Sequence, residues 1–239
     1  MSEQDFAYKV NANKQIEITR YMGEDERVVI PETIEGYPVA VLKRYSFASS
    51  DIVEITIPEN VETIEQEAFA ICESLEKVIL PSTLKSIGAG AFKSCDNLKE
   101  ISFPNGNEVF SVKDGILYDE KTKTLILCPP GTGKKTVVID EETLSIGPAA
   151  FYMNRDLEMV QLPLGLKRIG PEAFLFTDSL KIIRLTLEIE EISFDSFLLI
   201  KGARAEKPFV IYAFPDTYGY RYAQQQQIHV EPLYALLYD

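Results

Sequence analysis

Residues 75–95 read LEKVILPSTLKSIGAGAFKSC, and this stretch decides the fold because its pattern recurs along the chain. Val78 and Leu80 alternate as in a strand with one apolar face, and Pro81 ends that strand because proline has no ladder donor. The position of Pro81 recurs every 23 residues in two groups of three, namely Pro58, Pro81 and Pro104, then Asp140, Pro163 and Thr186. A first copy ends at Pro31, 27 residues before Pro58. This spacing indicates a repeat architecture.

Three further columns keep the same phase in six copies. A small residue precedes phenylalanine at Ser46-Phe47, Ala68-Phe69, Ala91-Phe92, Ala150-Phe151, Ala173-Phe174 and Ser196-Phe197. Five residues before each phenylalanine stand Leu42, Ile64, Ile87, Ile146, Ile169 and Ile192. Six residues after it stand Val53, Leu75, Leu98, Leu157, Leu180 and Ala203. Columns that stay in register this often predict that identical residues superpose in the fold.

Each copy predicts one coil, which consists of a strand, a residue such as proline that ends it, and a turn with a short helical or 3₁₀ segment. A single coil cannot bury its own apolar side, so the coils must stack at roughly the 4.8 Å spacing of paired strands. We therefore predict a mostly β solenoid of about seven coils, with Phe69, Phe92, Phe151 and Phe174 superposed in its core. Each buried ring is expected to contribute about 1.5–3 kcal/mol of transfer free energy.

An insertion interrupts the array between Pro104 and Asp140, which are 36 residues apart, or 13 more than the repeat. Residues 110–128 are apolar at both ends and polar over residues 119–124, which predicts a β-hairpin with its tip at the polar segment. The 23-residue phase resumes after it.

The two ends of the chain differ from the coils, as terminal caps of a repeat array must. Alternation in residues 6–10 and 15–18 predicts an N-terminal hairpin, and residues 209–212 and 218–227 predict a C-terminal strand and a short helix. We predict one solenoid domain over residues 1–239, divided into a cap (1–27), coils (28–103), the hairpin insertion (104–139), coils (140–205) and a cap (206–239).

The repeats, from Leu75–Pro81 through Ala91–Cys95, resemble the BspA-like leucine-rich repeat, whose unit ends in an A-F-x-x-C signature. The hairpin at Val112–Thr136, the N-terminal segment Ile34–Val39 and the C-terminal Tyr-Ala element also resemble that family. The cysteine column departs from the signature, with Cys72 and Cys95 but also Ser50, Asn154, Thr177 and Ile200. The resemblance implies a leucine-rich-repeat solenoid and a bacterial surface or adhesion role, since well-studied relatives are secreted or surface proteins linked to adhesion.

Composition excludes several function classes. The net charge of −13 disfavours nucleic-acid backbones and anionic lipids, and a single histidine excludes multi-histidine metal sites and histidine-pair catalysis. The start of the chain lacks a basic and an apolar region of a signal peptide, and no apolar run is long enough to span a bilayer. We expect no cofactor, no metal, no catalytic residue and no membrane insertion. We expect a cytoplasmic protein as the chain is written, or a secreted or surface protein if it is truncated.

Residues 129–135, PPGTGKK, imitate a phosphate-binding loop, but Cys128 and Lys135 stand where glycine and a hydroxyl residue are needed, and a repeat strand follows instead of a helix. We therefore interpret the segment as a chance resemblance that does not bind phosphate. Cys72 and Cys95 lie about one repeat apart, so a disulfide or shared metal stays open beside the favoured buried free thiols.

The acidic residues of one turn and the lone histidine have ordinary explanations. Weak calcium binding is the minor alternative to a solvated face at Glu59, Glu62, Glu65 and Glu67, because no calcium-loop spacing is present. His229 is interpreted as a packing or surface residue of the C-terminal cap.

The outward side of the predicted strands is the candidate binding surface. A solvated sheet face would be mostly charged, yet several outward positions are apolar. The predicted partner-binding residues are Val29, Glu54, Thr56, Lys77, Ile79, Ser102, Val138, Met159, Gln161, Ile182 and Arg184. The leading hypothesis is a non-catalytic module that binds an unknown protein, such as a host or cell-surface protein, through this strand face. The alternative is a structural protein that associates with itself as a homo-oligomer.

Overall fold

The computed structural model describes residues 3–197 and 209–234. These residues fall into two compact units, unit 1 (Met1–Glu120 and Pro129–Thr132) and unit 2 (Lys121–Cys128 and Gly133–Asp239). Each unit is a stack of short coils with two parallel sheets. The prediction of a single domain over the whole chain stays a prediction.

Unit 1 contains two short 3₁₀ helices (Glu3–Asp5 and Pro130–Thr132) and twelve strands among its described residues. The strands are β1 (Phe6–Val10), β2 (Ile16–Tyr21), β3 (Arg27–Val29), β4 (Thr33–Ile34), β5 (Tyr37–Leu42), β6 (Glu54–Thr56), β7 (Thr63–Ile64), β8 (Lys77–Ile79), β9 (Ser86–Ile87), β10 (Glu100–Ser102), β11 (Phe110–Lys113) and β12 (Ile116–Asp119). Strands β3, β6, β8 and β10 pair in parallel, and so do β2, β5, β7 and β9. Strand β1 pairs antiparallel with β2, which confirms the N-terminal hairpin.

Unit 2 contains nine strands and one α-helix among its described residues. They are β13 (Thr124–Leu127), β14 (Thr136–Val138), β15 (Ser145–Ile146), β16 (Met159–Gln161), β17 (Arg168–Ile169), β18 (Ile182–Arg184), β19 (Glu191–Ile192), β20 (Val210–Ala213), α1 (Tyr218–Gln225) and β21 (His229–Pro232). Strands β14, β16, β18, β20 and β21 form one parallel sheet, and β13, β15, β17 and β19 form another. Strand β20 and helix α1 confirm the predicted C-terminal elements.

The strands that carry the repeat number seven among the described residues, as predicted, and β20 and β21 add two further turns. In four of the coils the amide of the core phenylalanine donates to a carbonyl of the next coil. These bonds measure 2.8 Å at Phe47–Ala68, Phe69–Ala91, Phe151–Ala173 and Phe174–Ser196. Identical bonds at successive coils fix the register of each stack.

The phenylalanine rings form a stack in each unit. In unit 1 the ring centroids are 5.0 Å apart between Phe47 and Phe69 and 5.2 Å apart between Phe69 and Phe92. In unit 2 Phe174 lies 4.9 Å from Phe151 on one side and 4.9 Å from Phe197 on the other. All of these rings are buried, so the predicted superposition holds within each unit.

The segment around each phenylalanine is, in its described residues, a turn with 3₁₀-type backbone bonds, such as the Ala70 amide to the Glu67 carbonyl at 3.1 Å, and it does not continue as a regular helix. Residues two before and two after the ring have a left-handed backbone, with φ of 55° at Glu67 and 62° at Ile71 around Phe69. The same pair of positions is left-handed around Phe151, at Ala149 and Met153. A helix cannot pass through positive φ on both sides of one residue, because its φ is near −63°.

The insertion has three strands where the sequence analysis predicted two. Asp114 and Gly115, with φ of 51° and 75°, form a two-residue turn that joins β11 to β12 as an antiparallel hairpin. A second turn follows at residues 120–123, in the predicted polar tip, and β13 after it pairs in parallel with β15. The Asp-Gly pair was the missed signal, since both positions of this turn need positive φ.

Candidate partner-binding face

The predicted binding residues all lie on the outward side of short strands. In β3, β14 and β16 the middle residue is buried while both flanking residues are exposed. The parallel register then aligns outward residues of adjacent coils, as in Val29 with Thr56 and Thr56 with Ile79. We call the aligned residues Val29, Glu54, Thr56, Lys77, Ile79 and Ser102 the unit 1 face, and Val138, Met159, Gln161, Ile182 and Arg184 the unit 2 face.

The unit 1 face is mostly half-buried. Glu54, Thr56, Lys77, Ile79 and Ser102 each retain only part of their surface. The Lys77 ammonium pairs with the Glu100 carboxylate at 3.1 Å. Val29 is therefore the one large apolar side chain of this face that is exposed among the described residues.

The unit 2 face borders a groove of about 400 Å³. Four predicted residues, Met159, Gln161, Ile182 and Arg184, line it. Val138 is exposed in the same sheet but is not among the lining residues. The structure thus brings four of the eleven predicted residues into one concave site.

Further apolar residues, which were not predicted from the sequence, complete this groove. Leu164 and Leu187 line it with 77% and 62% of their surface exposed, and Phe214 and Leu233 line it as well. A sequence signal for the two leucines existed, because they stand 23 residues apart, directly after Pro163 and Thr186. The corresponding residues of the other coils are polar, namely Glu32, Glu59, Ser82, Asn105 and Glu141.

In unit 1 this column forms a hydrogen-bonded ladder. The Glu59 carboxylate accepts bonds from the Ser82 amide at 2.9 Å and hydroxyl at 2.7 Å, and from the Asn105 side chain at 2.7 Å. The bonds from Ser82 and then Asn105 lower the pKa of Glu59 below its ordinary value. The position directly after the strand end therefore carries hydrogen-bonded polar side chains in unit 1, whereas in unit 2 it carries the exposed Leu164 and Leu187.

Ion pairs between adjacent coils involve several basic residues of unit 2. The Arg155 guanidinium meets Asp178 at 3.0 Å and the Lys167 ammonium meets Glu190 at 3.0 Å, each pair spanning 23 residues. Glu158 pairs with both Lys181 and Lys135, which lowers its pKa. Charge pairing of this kind is a regular property of the stacked coils.

Thr186 forms part of the groove and carries an unsatisfied polar atom. It replaces the proline that ends the strand in other coils, and its buried hydroxyl has no hydrogen-bond partner. We expect Thr186→Val to raise the free energy of unfolding by about 1 kcal/mol, since an unpaired buried hydroxyl is penalised by its desolvation. Chemical denaturation measures the change.

Thr177→Val is the matched control for that variant, because the buried Thr177 hydroxyl donates to the Phe174 carbonyl at 2.8 Å. We expect this second change to lower stability by about 1 kcal/mol. Equal losses in both variants would contradict the assignment of an unsatisfied hydroxyl to Thr186.

The phosphate-loop imitation has a packing role in the structure. Gly131 lies in the 3₁₀ helix Pro130–Thr132, and its amide donates to the Leu98 carbonyl at 2.8 Å. A Cβ atom at Gly131 would come within 2.4 Å of the Asn97 backbone, so glycine is required by close packing. The next element is strand β14, where a phosphate loop needs a helix.

The side chains of the cysteine column donate hydrogen bonds to backbone carbonyls of a neighbouring coil. Cys72 and Cys95 are buried free thiols, as favoured from the sequence, and Cys128 is a buried free thiol as well. The Cys72 thiol donates to the Phe47 carbonyl at 3.0 Å and the Cys95 thiol to the Phe69 carbonyl at 3.1 Å, each one coil away. Asn154 makes the equivalent bond to the Cys128 carbonyl at 3.0 Å. Burial raises the pKa of Cys128 to about 12, which opposes thiolate chemistry; Ile200 lies outside the described residues.

The acidic residues of the first coils also pair across coils. Glu62 meets Lys85 at 2.7 Å, and Glu65 meets Lys43 at 2.5 Å. Glu67 meets Arg44 at 2.7 Å. Among the described residues no group of three metal-ligating side chains comes together.

His229 is exposed on β21, where its Nε2 atom lies 2.9 Å from the Glu231 carboxylate. This placement agrees with the surface interpretation of the histidine. No helix in residues 3–197 or 209–234 has the length and apolar character needed to cross a bilayer.

Comparisons with known proteins agree with this architecture. A leucine-rich repeat protein of T. pallidum is 24% identical over 97% of this chain and 97% of its own, with a TM-score of 0.55. A leucine-rich repeat protein of Eubacterium ventriosum is 14% identical over 87% of this chain and 69% of its own, with a TM-score of 0.54. The pneumococcal vaccine antigen PcpA is 16% identical over 89% of this chain and 81% of its own, with a TM-score of 0.51.

At these identities the solved structures establish the fold alone, a leucine-rich-repeat solenoid. A comparison with curated proteins gave no match. A family model described as the BspA type leucine rich repeat region matches six copies, over residues 27–130 and 131–201. The chain therefore belongs to the BspA-type leucine-rich repeat family.

Proposed function

We propose that this repeat protein is a non-catalytic module that binds a protein partner through its outward strand face, with the groove of unit 2 as the centre of contact. The observation that carries the proposal is the replacement of a polar column by the exposed Leu164 and Leu187 beside Met159 and Ile182. Large exposed apolar patches on soluble proteins mark interaction sites. A concave apolar site with a few polar groups is the usual form of a binding surface.

The energetics favour this groove over the unit 1 face as the anchor. Fully burying a leucine side chain contributes about 1.5–3 kcal/mol, so two exposed leucines supply a substantial part of a protein–protein affinity. In the unit 1 face Lys77 is already paired with Glu100, and most of the side chains are half-buried. Val138, which is exposed in the same sheet as the groove residues, is then a peripheral contact of the proposed surface.

The family supports a binding role and not a particular partner. We propose an adhesion-type scaffold whose partner is a host or cell-surface protein, as the resemblance of the repeats implies. A surface or secreted location is part of this proposal.

The double change Leu164→Ser with Leu187→Ser tests the proposed surface. It gives the unit 2 column the polarity of Ser82 in unit 1, and both side chains are exposed, so stability is expected to change by less than about 0.5 kcal/mol. We expect the double variant to lose affinity for a purified partner by about 30-fold or more, from the lost burial of two leucines. Isothermal titration with a partner first isolated by capture on the intact chain measures the loss.

Met22→Ser is the control, because Met22 is another exposed apolar side chain and belongs to neither face. Its affinity for the partner is expected to equal that of the unchanged chain. Self-association is distinguished by sedimentation velocity on Ile79→Glu and Met159→Glu. Conversion of an oligomer to a monomer by Met159→Glu, with no heterologous affinity lost, would replace the proposal by the homo-oligomer alternative.

A further inference from the structure

A single cation distinguishes the groove of unit 2 from the rest of that unit. Arg184 lines the groove and is exposed. Among the described basic residues of unit 2, Arg184 is the one whose side chain has no ion pair, hydrogen bond or other polar partner. Every other described lysine or arginine of unit 2 makes at least one such interaction.

The repeat explains why Arg184 has no partner. Basic residues of unit 2 commonly pair with a carboxylate 23 residues away, as Lys167 does with Glu190. The residue 23 before Arg184 is Gln161, and its aligned neighbour on β20 is Tyr212, so neither supplies a carboxylate. The arginine therefore projects an uncompensated positive charge beside exposed leucines.

The other charged residue that lines the groove, Glu188, says less about the chemistry of a ligand. The chain carries 37 acidic and 24 basic residues, so many carboxylates must stand without a basic partner. Among the described basic residues of unit 2, by contrast, an unpaired cation is the exception. An arginine guanidinium also presents donors in a fork that matches a carboxylate bidentately.

We propose that the groove of unit 2 recognises an extended peptide segment of the partner that carries apolar side chains next to a carboxylate, with the carboxylate bound by Arg184. This inference rests on the proposed function and specifies the chemistry of its partner. The apolar side chains of the segment contact Leu164, Leu187 and Met159, while its carboxylate takes the position that an acidic residue holds beside other basic residues of unit 2. Burial of the pair on binding strengthens it relative to an exposed ion pair.

A random 12-residue peptide library displayed on phage and selected against the full chain is the probe. We expect the enriched sequences to place aspartate or glutamate beside apolar residues. A synthetic copy of one enriched peptide is expected to bind Arg184→Gln about tenfold more weakly than the unchanged chain, which is the usual cost of a charged hydrogen bond. Arg155→Gln is the matched control, because it removes an arginine of unit 2 that lies outside the groove, and its affinity is expected to be unchanged.

A double-mutant cycle separates the ion pair from general effects. Replacing the acidic residue of the peptide by its amide is expected to weaken binding to the unchanged chain by about tenfold, and to leave binding to Arg184→Gln as it was. Additive losses, equal binding by Arg184→Gln, or enriched peptides without an acidic residue would overturn the inference. So would a selection that enriches nothing, although the proposed function would stand because it also covers folded partners. Failure of the proposed function has a different signature, namely that Leu164→Ser with Leu187→Ser binds the purified partner as tightly as the unchanged chain.

Discussion

Phe69→Ala is expected to lower the free energy of unfolding by about 3–5 kcal/mol, the range for removing a buried aromatic ring. Phe69 is fully buried and stacks on Phe47 at 5.0 Å and on Phe92 at 5.2 Å. Truncation leaves a cavity with ring faces on both sides, and the backbone bonds that fix the coil register limit how far the neighbours can close it. Urea denaturation followed by circular dichroism measures the loss.

Phe194→Ala is the matched control, since the Phe194 side chain is 70% exposed. Its effect is expected to stay within about 0.5 kcal/mol. A loss below about 1.5 kcal/mol for Phe69→Ala would mean that the ring stack does not stabilise unit 1 as argued. The denaturant slope must be compared between variants, because repeat arrays do not always unfold in one step.

Gly88→Ala is expected to lower the free energy of unfolding by about 3 kcal/mol, at the upper end of the range for overpacking. A Cβ atom at Gly88 would lie 2.2 Å from the Gln66 amide nitrogen and 2.5 Å from the Glu65 carbonyl carbon. Both atoms belong to the backbone of the preceding coil, so no rotamer change can relieve the contact. The Gly88 amide also donates to the Ile64 carbonyl at 2.8 Å, which ties the two coils at this point.

Gly165→Ala provides the comparison at a glycine with ordinary space around it. The nearest atom to its added Cβ is a methyl carbon of Leu144 at 3.8 Å. This change is expected to be neutral or to raise stability by about 0.4–1 kcal/mol, because alanine loses less backbone entropy on folding. If both variants lost the same free energy of unfolding, the effect would come from the general properties of glycine, and the argument from packing between coils would be wrong.

The fold of the coils could be predicted because each coil meets nearly the same environment as its neighbours. A column such as Phe47, Phe69 and Phe92 reports the same buried position three times in unit 1, so chance agreement is excluded. The turns around the rings were harder to predict. Their left-handed positions are filled by residues such as Tyr45 and Ile71, which have no intrinsic preference for positive φ.

The candidate site could be predicted only where it follows the repeat. Met159, Gln161, Ile182 and Arg184 were identified from strand alternation alone, and the binding role assigned to them stays a prediction. Leu164 and Leu187 also obey the period, but their column lies in a turn, where exposure does not alternate.

Phe214 and Leu233 lie outside the repeat. They line the groove because of how the C-terminal turns with β20 and β21 pack beside the repeat strands. The lack of a partner at Arg184 depends in the same way on Tyr212 of β20, whose alignment with β18 breaks the 23-residue spacing. Positions set by a non-repeating segment carry no periodic signal.

The amide-to-carbonyl bonds between successive coils have a consequence for how such chains change length. Phe47 bonds to Ala68 and Phe69 bonds to Ala91 with the same geometry, so each coil presents to its successor what its predecessor presented to it. Gain or loss of one whole coil preserves every such junction, whereas any other insertion within a coil leaves backbone groups without partners. Growth by whole coils is therefore the change in length that keeps every junction intact, whereas an intermediate length needs a turn of its own, such as the one at Asp114 and Gly115.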